Sequence, residues 1–164
     1  MATPNLTTVR LDILQTIKEA FASIDANQPV SDPYGIQFST VEIGPLAPWD
    51  QRKMYSCGLH VGPEKETFQF PYIMCWLTLN VEFRATWNRD APVTPGELAE
   101  QVLGVCKRKM TEDRTWGGRA IDTKVVGSEV DLVTYWDRSV VGVAVCEVQY
   151  RYSHLDPRNP NPDV

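Results

Sequence analysis

The 164 residues carry 16 Lys and Arg against 21 Asp and Glu, a formal net charge of -5, with 43% hydrophobic and 23% charged residues. That balance is ordinary for a soluble globular chain and argues against a nucleic-acid reader, which needs a basic stripe. A surface that DNA slides past stays compatible with it. The length suits one domain, which would bury about two-thirds of its unfolded surface.

The opening Met1-Ala2-Thr3-Pro4-Asn5 has no basic run followed by an apolar one, so no signal peptide is expected. No window is apolar enough over sufficient length to span a bilayer. Thr3-Pro4 reads as a helix cap followed by proline in the first turn. Leu6, Val9, Ile13, Ile17, Phe21 and Ile24 follow at helical spacing, which predicts a helix over Pro4–Ala26. Asn27, Pro29, Asp32, Pro33 and Gly35 make a turn-rich loop. Ile36–Ile43 alternates as a strand and stops at Gly44-Pro45. A loop carrying Trp49 leads to a short strand over Met54–His60, and Val61–Lys65 is expected to turn the chain back.

The strongest signal follows. From Ile73 to Trp87 every odd residue is apolar, and from Thr78 every even one is polar, strict period-2 alternation with a firmly specified register. Tyr72, Met74 and Trp76 break the pattern on the wet side, so the second face there is expected to be covered by a helix, a loop or another subunit. The run exceeds the usual strand of about 5–6 residues. Thr94-Pro95-Gly96-Glu97 forms a capping box, and Leu98, Val102, Val105, Cys106 and Met110 form the buried stripe of the second helix. Trp116-Gly117-Gly118 closes that helix. Ala120–Val126 is a strand, and Val140–Tyr152 is a second long one. It too is apolar on both sides at one end, through Val141, Val143 and Val145. The expected fold is therefore α+β: a mainly antiparallel sheet of about 4–6 strands, two amphipathic helices on one face, and an extended hairpin arm over Lys53–Trp87. Residues 1–155 make one domain, and 156–164 a flexible proline-rich tail.

The residues offer little chemistry. Cys57, Cys75, Cys106 and Cys146 are scattered without a C-x-x-C pair and read as buried reduced thiols. No nucleophile elbow, phosphate-binding loop, zinc-protease or dinucleotide fingerprint occurs. Neither His60 nor His154 has the partners of a zinc site. No catalytic residue, cofactor or metal is expected. Trp49 and Trp136 sit in polar, loop-like settings, where tryptophan often marks an interface.

The order of features resembles the tail terminator (tail completion) proteins of tailed bacteriophages. The residues that carry the likeness are Trp87-Asn88-Arg89-Asp90 after the long strand, the capped helix from Thr94, the D-x-x-x-G-G turn of Asp113, Gly117 and Gly118, and Val148-Gln149-Tyr150-Arg151-Tyr152 before Asp156-Pro157. The likeness runs from about residue 5 to 157. It implies a structural virion protein, not an enzyme. Such proteins form a hexameric ring on the head-proximal end of the tail tube, stop tube polymerisation, dock the neck or head completion protein, and let DNA pass through the channel without sequence-specific binding. The long Pro45–Phe70 stretch departs from a compact member and reads as an inserted arm. Interface residues expected from position in the arm and strands are Trp49, Tyr55, Glu64, Lys65, Glu82, Arg84 and Trp136. Other readings are a different head–tail connector, a cellular oligomeric adaptor, and a small ligand-binding or enzymatic α+β module using Asp50, Cys57 and His60.

Overall fold

The computed structural model describes residues 5–46, 52–131 and 138–161. Its elements in chain order are helix α1 (Val9–Ala22), strands β1 (Thr40–Ile43), β2 (Tyr55–Gln69) and β3 (Tyr72–Thr86), helix α2 (Pro95–Glu112), and strands β4 (Asp122–Asp131) and β5 (Ser139–Ser153). The strands form one sheet in the order β1-β2-β3-β5-β4. β1 runs parallel to β2 and all other pairs are antiparallel. The α+β architecture expected from the sequence is the one found.

Helix α1 starts later than its apolar spacing suggests. Thr8, not Thr3, is the cap: its hydroxyl accepts from the Leu11 amide, and its carbonyl accepts from Asp12. Thr3 lies outside the described residues. At the other end Ser23 closes the helix, its N–H donating to the Glu19 carbonyl. Ile24 remains buried beyond that end, so its place in the apolar spacing reflects the core rather than another helical turn. Helix α2 follows its sequence signal closely. Glu97 N–H donates to the Thr94 hydroxyl, and the Thr94 N–H donates back to the Glu97 carboxylate. Beyond α2 the backbone takes positive φ at Trp116, Gly117 and Gly118. Asp113 holds this turn, accepting from the Thr115 and Gly117 amides. The buried Trp116 anchors it, its indole Nε1 donating to Thr123 Oγ1 at 3.0 Å.

Val61–Lys65 is not the hairpin turn. β2 continues as a strand to Gln69, with a bulge between Val61 and Glu64. The turn comes at Phe70-Pro71, through a cis peptide bond. A Gly-Pro pair is normally a turn signal. Here β1 covers only Ser56–Leu59 of β2, so Pro63 sits on an open edge where its missing N–H breaks no ladder, and the bulge absorbs the irregularity. Nor do β2 and β3 stand off as a two-stranded arm. β5 pairs with β3 along its whole length, from Thr86–Ser139 to Tyr72–Ser153. The sheet therefore has a base, near Tyr55, Thr86 and Ser139, and a three-stranded tip near Phe70-Pro71.

One face of the sheet carries both helices. Ile13, Ile17 and Phe21 of α1 and Leu98, Val102, Cys106 and Met110 of α2 close over Leu77, Leu79, Val81 and Phe83 of β3 and Ala144, Cys146 and Val148 of β5. All four cysteines are free and fully buried. Burial pushes the Cys75 and Cys146 thiols up to about 12, so they remain protonated packing groups at neutral pH. Residues 156–161 are hydrogen-bonded to one another and to the rest of the domain. Pro157 accepts from the Val9 amide, Asn159 accepts from Ser153, and Arg158 pairs with Asp156 and donates to the Asn5 carbonyl.

Candidate interaction surface

Period-2 geometry gives every long strand a second set of side chains facing away from the helices. The register sorts them by position. At the base lie Ser56 and His60 of β2, Asn80, Glu82 and Arg84 of β3, Val141, Val143 and Val145 of β5, and Glu129 and Asp131 of β4. Toward the tip lie Lys65, Thr67 and Gln69 of β2, Tyr72, Met74, Trp76 and Thr78 of β3, Glu147, Gln149 and Arg151 of β5, and Lys124 of β4. Among the described residues no helix or strand covers this face. At the base edge the segment Gly44–Leu46 folds over β2. A Cβ at Gly58 would meet the Gly44 carbonyl oxygen at 3.0 Å and Leu46 Cγ at 3.1 Å.

A shallow depression of about 550 Å³ lies at the base, lined by His60, Asn80, Glu82, Glu129 and Asp131 with the three valines as its floor. His60 Nε2 sits 2.7 Å from Glu82 Oε2. The tip half of the face is different. Trp76, Met74 and Tyr72 are half-buried, and the Arg151 guanidinium lies over the Tyr72 ring, 4.1 Å from its centroid.

The residues expected at an interface divide between the two faces. Lys65, Glu82 and Arg84 lie on the open face. Tyr55 lies opposite Ala85 on the helix side and packs against the core, where burial raises its phenol pKa. Glu64 also faces the helix side. Its side chain is only 13% exposed, and it accepts a hydrogen bond from the Tyr150 hydroxyl while Arg10 Nη1 lies 3.2 Å from its other oxygen. It is an internal polar anchor. The bulge between Val61 and Glu64 places it there, and no periodicity in the sequence signals that shift. Trp49 and Trp136 lie outside the described residues. The cluster suggested for an enzymatic module is not assembled: Cys57 is buried on the helix side of β2, His60 is on the open side, and Asp50 is outside the described residues.

A second grouping bears on metal binding. Glu64, Glu66 and Cys75 bring two carboxylates and a thiol within 4.8 Å of one another, beside a pocket of about 320 Å³ lined by Thr8, Arg10, Tyr150, Tyr152 and Pro157. The donors are already engaged. Tyr150 and Arg10 hold Glu64, Tyr152 donates to Glu66 at 3.3 Å, and burial keeps Cys75 protonated. Arg10 would also repel a cation. This is a structural polar knot under the tip, and the signal for it in the sequence is the tyrosine pair at Tyr150 and Tyr152.

No family model matches the chain, and comparison with curated proteins finds no match.

Proposed function

We propose that this chain is a structural protein of a phage virion, of the tail terminator kind. Six copies form a ring on the head-proximal end of the tail tube, stop its growth and present a docking surface to the neck or head completion protein. DNA passes through the ring without being read. The observation that carries the reading is the sheet itself. Three strands of 15 residues each are joined edge to edge, and no helix or strand of the described residues covers the face turned away from α1 and α2. The capped α2, the Asp113–Gly118 turn and the closing valine- and tyrosine-rich strand support it as the features shared with that family. The net charge of -5 suits a channel that must not hold DNA.

The test is tube capping. Purified full-length chain is added to polymerising tail tubes, and tube length and end views are recorded by negative-stain microscopy. Short tubes bearing a ring at one end are expected. Tubes of unrestricted length with bare ends overturn the reading.

A further inference from the structure

The open face has an order that neither strand reveals alone. β3 is apolar on this side through Tyr72, Met74 and Trp76, which the antiparallel register puts at the tip. β5 is apolar on this side through Val141, Val143 and Val145, which the same register puts at the base. All six are half-buried within the chain. Charge is ordered in the same sense. Glu82 and Glu129 stand at the base, with Asp131 and Arg84 beside them. Lys65, Lys124 and Arg151 stand toward the tip, with Glu147 between Lys124 and the β3 strand and with Asp122 paired to Arg114. The base is acidic on balance and the tip basic.

We propose that a second copy of this chain covers the open face, turned end for end. In that overlay the valine strip of each copy lies over the Tyr72–Trp76 strip of the other, and each acidic base meets a basic tip. A face with one apolar patch and one sign of charge would suit a foreign partner equally well. Two apolar patches and two opposite charge zones, placed at opposite ends, are complementary to a rotated copy of themselves, as an isologous contact requires. The size also fits. At about 3.3 Å per residue and about 4.8 Å of width per strand, the three 15-residue strands and the 10-residue β4 present about 870 Å² in plan. A standard interface takes about 800 Å² from each partner. Such a contact closes at two copies, whereas a six-membered ring needs a head-to-tail contact, so pairwise association and tube capping are separate readouts.

The experiment is sedimentation velocity of the full-length chain over a concentration series, with far-ultraviolet circular dichroism of each variant. The wild type is expected to associate, with an even-numbered pair as the unit. Val143→Glu buries a charge in the centre of the contact and should weaken association about tenfold or more while the fold persists. Should Val143→Glu fail to fold, Lys65→Glu at the exposed tip reads the same contact. Glu129→Lys and Lys124→Glu should each weaken association, and the double reversal in one chain should restore it. A wild type that stays monomeric overturns the proposal. So does association, including hexameric rings, that is indifferent to Val143→Glu, Lys65→Glu and both reversals; in that case the face does not pair with a second copy turned end for end.

Discussion

The two faces of the sheet are built by the same strands, and neighbouring residues on one strand belong to different environments. On the helix side Leu79, Val81 and Phe83 are fully buried and interlock with α1 and α2. On the other side Asn80, Glu82 and Arg84 stand between them, half-buried, with no element of the described chain above. The covered face holds the monomer together, and the other carries no helix or strand among the described residues. A substitution on β3 or β5 should therefore act on folding or on assembly according to whether its position is odd or even.

Truncation of the covered face should have the largest effect on folding. Phe83→Ala removes a fully buried ring at the centre of the sheet and should cost about 3–5 kcal/mol, a fall in Tm of roughly 6–20 °C for a domain of this size. Differential scanning calorimetry checks it, and a loss below about 1 kcal/mol would mean that the face is not the core. Tyr150→Phe tests the polar knot at the same face's tip. It takes the hydroxyl from Glu64, leaving a half-buried carboxylate with Arg10 alone, and should cost about 1.5–3 kcal/mol in urea unfolding.

A smaller effect separates the turn after α2 from both faces. Gly117 N–H, then Thr115, hold the Asp113 carboxyl below its usual range. Its contribution is therefore full above the unfolded value of about 3.9 and is lost as pH falls through the lower folded value. Asp113→Asn should flatten the acid limb of the stability curve below about pH 4 and leave its shape near neutrality unchanged, as followed by thermal melts across pH. The smallest effect is expected on the open face. Val143→Thr keeps the shape of a half-buried residue and should change monomer stability by about 0.5 kcal/mol or less, in contrast to Phe83→Ala on the neighbouring strand. A larger loss, measured at a concentration where the chain is monomeric, would show that the open face is covered by the chain itself.

Most of the secondary structure was legible because its signals are local. The capping box at Thr94 and the period of β3 and β5 depend on neighbours within a few residues, and both ends of β3 fell within one residue of where the alternation put them. Where local signals misled, a nonlocal fact had overridden them. Gly62-Pro63 spells a turn, yet the open edge of β2 let the strand run through it. Ile24 keeps helical spacing, yet Ser23 ends α1.

The site followed the same division. Alternation by itself determined which residues of each strand share a face, because side chains on a pleated backbone must alternate. It also marked Tyr72–Trp76 and Val141–Val145 as places with a second apolar side. That these two stretches lie at opposite ends of one open surface follows from the fold, because strand order and antiparallel register are set by pairings between residues as far apart in sequence as Tyr72 and Ser153. The fold also turns Glu64 inward to Tyr150 and Arg10 while Lys65 faces out, since the bulge before them shifts the phase of the strand by an amount that no periodicity in the chain records.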